Sequence, residues 1–404
     1  MRIVDGIYLL FLLTLSLDPT GFHSRLKDLL FAVLVIYGVI YCLKRRQYLA
    51  GINRITLLSV LLLPLWGIFI AFITDNLTDT SYATGQFRSM LYICIFFFMV
   101  TMRLNVLLKA IWINGIVLAS VTLILFFISQ LGEIFLDVIY TYCNTSKNFM
   151  MAYNRNFLGY TINGLYFKTG SLIIFAFIYN LYQYKGPLKL FYSIILFLSL
   201  MVAGSRTPML VQAMILLVYL YDRNVIGKFM TRVSALVMFG GLVMVTYLLA
   251  TQENEESNEV KYENYDSYID DMSEKGHLLW GAGVGSEFYA KGRGYKLSFS
   301  ELSYLDIVRM YGIPVGLYMI FLFFAPCFWL WKYYRSSIFL KRFSFGYVLF
   351  LILSGTNPLL LGSIGLTALS MFMVIVNKAK IEEAQREVVQ EDGEPLVIDN
   401  YLLR

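Results

Sequence analysis

Windows of about 18–20 apolar residues recur along almost the whole of this 404-residue chain. Each is long enough to cross a bilayer core of about 30 Å. A single soluble core cannot hide that many, because 58% of the residues are hydrophobic against the roughly 45–50% of an ordinary domain. Charged residues make up only 15%. The pattern excludes a soluble enzyme, a disordered chain and a nucleic-acid binder. It predicts an all-α polytopic membrane protein with about twelve spans, at roughly 3–17, 26–43, 55–73, 87–102, 106–129, 165–182, 188–203, 208–221, 233–250, 302–331, 344–361 and 363–377. The last two are short enough to read also as a broken hairpin. Residues 1–377 form one transmembrane domain in this reading, and 378–404 a cytoplasmic tail. The first apolar run, Ile3 to Leu17, lacks the small-residue cleavage site of a signal peptide.

Lys and Arg set the expected orientation. With the N-terminus cytoplasmic, 20 of the 33 basic residues fall on inner segments, among them Lys44-Arg45-Arg46 and Lys341-Arg342. The net charge of +6 then reflects inner loops rather than a nucleic-acid partner. Two large outer segments remain, about 130–164 and 251–301. The second opens with an acidic run that reads as a solvated lid surface; a divalent-metal site at Asp270-Asp271 is the sharper alternative. Only His23 and His277 are present, so a multi-histidine metal site is impossible. Cys42, Cys94, Cys143 and Cys327 suggest no disulfide framework. No metal or other cofactor is expected.

Few ionisable groups fall near the middles of spans, which argues against an ion-coupled transporter. The informative charges cluster at outer ends. In Gly204-Ser205-Arg206-Thr207-Pro208, Ser205 or Thr207 suits a helix cap and Pro208 the first turn. Arg206 then places a cation at the positive end of a helix dipole, which is sensible where an anion binds. Arg88, after Thr84-Gly85-Gln86, repeats the pattern, and Arg155 and Lys168 bracket the start of the sixth span. For each, snorkelling toward headgroups is the plain alternative. Glu301 opens the tenth span. It reads either as the third residue of a capping box begun by Ser298 or as a general base, with Tyr304 next in line. Arg293, in the late outer loop, and Arg309 complete the candidate substrate-binding set. Asp306 and Arg309, three apart, suggest an intrahelical pair, with service to the chamber as the alternative for Arg309. The run Trp280-Gly281-Ala282-Gly283-Val284-Gly285 spells a dinucleotide loop but has no βαβ context, so it reads as a tight turn packing the outer loop onto the membrane helices.

Four segments, in this order, resemble the Wzy-type O-antigen polymerases and the related O-antigen ligases. They are Arg155 to Asn163, AGSRTPML, LLWGAGVGSEFY and ELSYLDIVRMYGIPVGLY. With their connections they cover most of residues 80–330. The resemblance implies a GT-C-like, metal-independent glycosyltransferase at the outer face of a bacterial cytoplasmic membrane. It would transfer a growing glycan from undecaprenyl pyrophosphate onto a lipid-linked repeat unit. Catalytic roles would fall to Glu301 and Arg206, and substrate binding to Arg88, Arg155, Lys168, Arg293, Tyr304 and Arg309. A Wzz-type chain-length regulator and the flippase are implied partners, besides membrane lipid. Where the ligases carry a His-Asn pair, this chain has Glu301-Leu302, which favours polymerase over ligase. A lipid-linked oligosaccharide flippase and a non-enzymatic assembly protein are the rival classes.

Overall fold

A computed structural model describes residues 3–21, 23–46, 49–145, 150–157, 160–202, 206–223, 256–274, 277–300, 302–333, 337–355 and 359–391. Its helices are α1 (Ile3–Leu17), α2 (Leu26–Arg45), α3 (Gly51–Ile73), α4 (Thr80–Met90), α5 (Ile95–Met99), α6 (Leu104–Ser129), α7 (Glu133–Thr145), α8 (Ile173–Tyr182), α9 (Lys189–Met201), α10 (Arg206–Arg223), α11 (Glu256–Glu274), α12 (Ser303–Tyr333), α13 (Ile338–Gly355) and α14 (Ser363–Glu391). Two small antiparallel hairpins, β1 (Met150–Phe157) with β2 (Tyr160–Phe167) and β3 (Phe288–Ala290) with β4 (Tyr295–Leu297), interrupt an otherwise all-α chain.

Among the described residues, six helices are long and apolar enough to cross a membrane: α2, α3, α6, α12, α13 and α14. The chain is a multi-pass membrane protein, but not the twelve-span one that hydropathy predicts. α1 and α9 are apolar but shorter. The expected span 87–102 is divided among the end of α4, a 3₁₀ turn at Leu91–Cys94 and the five-residue α5. The expected span 165–182 is half hairpin and 3₁₀ turn, leaving ten residues for α8. Nearly all of α8 is buried, from Ile173 to Ile178 without a break. Its apolar sequence reflects packing against protein rather than lipid, and mean hydropathy does not separate the two. α10 carries Arg206, Gln212, Asp222 and Arg223, which dilute its hydropathy. The expected span 233–250 lies outside the described residues. The final pair is no broken hairpin: α13 and α14 are full helices, and α14 runs on through Lys378.

The chain divides into two compact units, one of Met1–Leu15, His23–Ala110 and Val260–Arg404, the other of Ser16–Phe22 and Ile111–Glu259. In the first, α14 is the central helix. It is hydrophobic all round because neighbours surround it, and Leu366, Leu369, Phe372, Met373 and Val374 are all buried. Tyr347 of α13 stacks on Phe372 at 4.0 Å. Several polar groups inside this apolar packing are paired, which matters most where water is absent. Asn377 Oδ1 accepts the Ala50 N–H at 2.7 Å, Asn53 donates to the Met373 carbonyl at 2.8 Å, and Ser370 donates to the Ile93 carbonyl at 3.0 Å. α1 buries Tyr8, Phe11, Leu12 and Leu15, one stripe of a helix. α2 instead leaves Leu29, Ile36 and Leu43 exposed, seven apart on one face, which is the lipid-facing arrangement.

In the second unit Asn180 is the polar centre. It accepts from Trp112 Nε1 at 3.2 Å and donates to the Lys189 carbonyl and the Ser193 hydroxyl at 3.0 and 2.8 Å, tying α6, α8 and α9. Gln212 of α10 donates to the Leu196 carbonyl of α9 at 3.0 Å. The β1–β2 hairpin pairs Arg155 with Ile162.

Candidate functional site

The described geometry that gathers polar groups lies in the first unit, where the segment 277–300 returns to the helices. α12 is broken at Gly312, whose φ of 76° and ψ of 166° are ordinary only for glycine. The break leaves three backbone groups without helical partners. Met310's carbonyl would normally accept from residue 314, which is Pro314 and has no N–H. The glycine-rich run fills the gap. Ala282 N–H donates to the Arg309 carbonyl at 2.7 Å, Gly283 N–H to the Met310 carbonyl at 3.0 Å, and Ile313 N–H to the Leu278 carbonyl at 2.8 Å. On the other side, Val284 N–H donates to the Gly67 carbonyl at 2.9 Å, and the Gly285 carbonyl accepts from Thr78 and Asp79 at 3.1 and 2.8 Å. Gly281, Gly283 and Gly285 all have positive φ. The run is thus the tight turn expected from sequence, wedged between α3 and the break in α12.

Arg309 locks this turn from below. It is fully buried, and its guanidinium donates to the Ser286 hydroxyl at 2.9 Å, the Ser286 carbonyl at 3.1 Å and the Ser298 carbonyl at 2.7 Å. It lies 4.7 Å over the Phe288 ring and 3.9 Å from Asp271. Asp306, one helical turn earlier, takes other partners. Its carboxylate accepts the Ser300 N–H at 3.0 Å and the Tyr268 hydroxyl. The expected intrahelical Asp306–Arg309 pair is therefore replaced by two separate networks, because each side chain finds closer partners in α11 and the returning loop. Burial, then the neighbouring Asp306 carboxylate, push the Tyr268 phenol well above its ordinary range, so it remains a donor.

Beside Asp306 opens a cavity of about 340 Å³. α4 lines it with Tyr82, Gln86 and Ser89, α12 with Ser303 and Asp306, and Phe299 closes one wall. Tyr82 and Phe299 stack at 5.1 Å. Gln86 donates to the Leu361 carbonyl at 3.0 Å, which fixes its amide. Asp79 caps α4 through the Tyr82 N–H at 2.8 Å and accepts the Ser298 hydroxyl at 2.6 Å, so the cap also holds the returning loop. The arrangement offers an aromatic face, a carboxylate, an amide and two hydroxyls, the groups that hold a neutral polyhydroxylated ligand.

The sequence-predicted residues fall in several places. Glu301 lies outside the described residues. Ser298 does not begin its capping box: the helix starts at Ser303, Ser298 is engaged by Asp79, and the Leu302 N–H is met by Ser300 at 3.2 Å. Tyr304 donates to the Leu351 carbonyl at 2.8 Å. Arg293 is exposed in the turn of the β3–β4 hairpin. Arg88 is not at a helix start, since Asp79 caps α4 nine residues before it; Arg88 sits in the last turn and pairs with Asp28, which also accepts from Tyr92 at 2.6 Å. Arg155, Lys168 and Arg206 belong to the second unit. Arg155 is in a strand and Lys168 opens the 3₁₀ turn before α8, so neither starts a helix, whereas Arg206 does. Asp270 pairs with Lys291 at the surface while Asp271 is buried near His277 and Arg309, so the two carboxylates diverge. Sequence reasoning passed over Tyr82, Gln86 and Phe299. Only Asp306, a carboxylate inside an apolar segment, carried a signal that could have marked the cavity.

No protein-family model and no curated protein matches this chain.

Proposed function

We propose that the protein is a polysaccharide polymerase of the O-antigen or capsular type with a GT-C-like architecture, acting on lipid-linked sugars at the outer face of a bacterial cytoplasmic membrane. The observation that carries this reading is the cavity at the head of α12, where the stacked Tyr82–Phe299 pair faces Asp306, Gln86, Ser89 and Ser303. Aromatic faces take the apolar side of a sugar ring, and carboxylate and amide groups take its hydroxyls. The chemistry needs no nucleotide, because a sugar on pyrophosphate is already activated. An acceptor hydroxyl oxygen attacks the anomeric carbon of the donor glycan. The bond from that carbon to pyrophosphate breaks, and the lipid pyrophosphate leaves with the electron pair. The hydroxyl proton passes to a carboxylate, for which Glu301 is our candidate and Asp306 the nearby second. Arg206, at the start of α10, is the candidate for stabilising the leaving charge. The same fold could instead join a finished glycan to a different acceptor, as a ligase does, or move the lipid-linked unit, as a flippase does. Purified protein in liposomes with lipid-linked repeat units separates these. A ladder of lengths supports the polymerase, and relocation without elongation refutes it.

A further inference from the structure

A second recess lies at the other end of α2, outside the site just described. It is a groove of about 680 Å³ lined by Val39, Cys42, Leu43, Arg46, Leu49, Arg54 and Phe97. Two cations border an otherwise apolar wall. Arg46 ends α2 in the left-handed conformation, with φ of 44°, which is uncommon for a non-glycine residue. Arg54 is in the first turn of α3, where its Nε donates to the Leu49 carbonyl at 2.9 Å. The two terminal nitrogens of Arg54 and the whole Arg46 guanidinium have no protein partner among the described residues. The negative end of α2 would repel an anion, but Lys44 and Arg45 in its last turn offset it, and α3 presents its positive end.

We propose that this groove binds the phosphate of an anionic phospholipid, with one acyl chain lying along Val39, Leu43 and Phe97. The Arg46 guanidinium and the two terminal nitrogens of Arg54 suit a phosphate, which accepts several charge-assisted hydrogen bonds at once. The apolar wall distinguishes the occupant from free phosphate. It continues along the exposed face of α2 through Ile40 and Ile36, a path for hydrocarbon that a free ion would not use. The concentration of basic residues here also marks the side on which anionic headgroups are enriched.

The test is a titration of the delipidated full chain in detergent with phosphatidylglycerol or phosphatidylcholine, read by native mass spectrometry. The wild type should take up one phosphatidylglycerol in preference to phosphatidylcholine. Each guanidinium near a membrane surface is worth roughly fivefold, so Arg46→Gln with Arg54→Gln should weaken binding on the order of 30-fold. Arg45→Gln, which does not line the groove, should lose about fivefold at most. Val39→Trp, which keeps both charges and fills the groove, should also lose the lipid. The proposal is overturned if the double variant and Arg45→Gln titrate alike, or if Val39→Trp binds phosphatidylglycerol as the wild type does. It is equally overturned if inorganic phosphate at matched concentration displaces the lipid, since the ligand would then be the anion alone.

Discussion

Gly283→Ala should open the glycine-rich turn, and the structure sets the size of the effect. A Cβ at Gly283 would fall 2.3 Å from the Ala71 nitrogen and 2.5 Å from its Cα, both backbone atoms that cannot swing aside. The residue's φ of +86° adds about 1–2 kcal/mol of left-handed strain. The loop must therefore lift, and lifting breaks the Gly283 bond to the Met310 carbonyl and the Ala282 bond to the Arg309 carbonyl. Pro314 has no N–H to offer the Met310 carbonyl, and the Ile313 N–H that would serve the Arg309 carbonyl is taken by Leu278, so about 1–3 kcal/mol per stranded carbonyl is lost. The sum is about 3–8 kcal/mol, much of it local. Gly294→Ala is the matched control: its φ is +73°, yet a Cβ there meets nothing within 4 Å, so only the strain of about 1–2 kcal/mol applies. Hydrogen exchange of the peptide spanning 277–286, in detergent, reads the difference as the free energy of local opening. We expect Gly283→Ala to exchange faster than Gly294→Ala by at least about 30-fold, since 1.4 kcal/mol is tenfold. Equal protection in the two variants would refute the idea that the turn substitutes for the missing helical bonds of α12.

Arg309→Met should lower the melting temperature in detergent more than Arg309→Lys does, because it removes every donor to Ser286 and Ser298 and leaves Asp271 beside an apolar chain; a cost of about 3–5 kcal/mol is expected. Ser298→Ala should cost only about 0.5–1.5 kcal/mol through its bond to Asp79 and keep elongation intact, while Glu301→Gln should fold normally and lose about 10²–10⁴ in elongation rate. Arg206→Ala should lose about 10²–10³ in the same assay, with incomplete rescue by Lys, which lacks the planar fork. A cysteine introduced at Asn258 should react with an impermeant thiol reagent added outside, and one at Gln47 should not; the opposite pattern would reverse the expected orientation.

Much of the helical frame was legible because lipid-facing and protein-buried helices are both strongly apolar. That same fact explains the over-count. The segment from Leu165 to Tyr182 is as apolar as a span, yet its first half is strand and 3₁₀ turn inside protein, and a sliding average has no term for what surrounds a residue. The glycine run was legible as a turn because three glycines in alternate positions signal left-handed backbone. Its partner was not, because the bonds to Gly67 and Met310 join residues far apart in sequence. Arg309 and Asp306 illustrate the same limit. Spacing of three suggests a pair on one helix, but the fold supplies Tyr268 from α11 and Ser286, Ser298 and Ser300 from the loop after it, a region that local reasoning treats as solvent. Arg88 reads as a helix start in the sequence because Thr84-Gly85-Gln86 resembles an entry, whereas the cap of α4 is Asp79, nine residues earlier.

The break at Gly312 also bears on how deep the cavity would lie. From Ile313 to Tyr333 there are 21 residues of uninterrupted helix, about 31 Å at 1.5 Å per residue, which already matches the hydrocarbon thickness. If the crossing ends at the break, the nine residues from Ser303 to Tyr311 are surplus to it and would lie at the level of the lipid headgroups. Trp280 is exposed at the turn and 6.5 Å from Trp66, a pair of the ring type that membrane interfaces favour. On the proposed function, a substrate tethered to a membrane lipid would then reach Tyr82 and Asp306 without leaving its leaflet, its polar head wet and its tail dissolved.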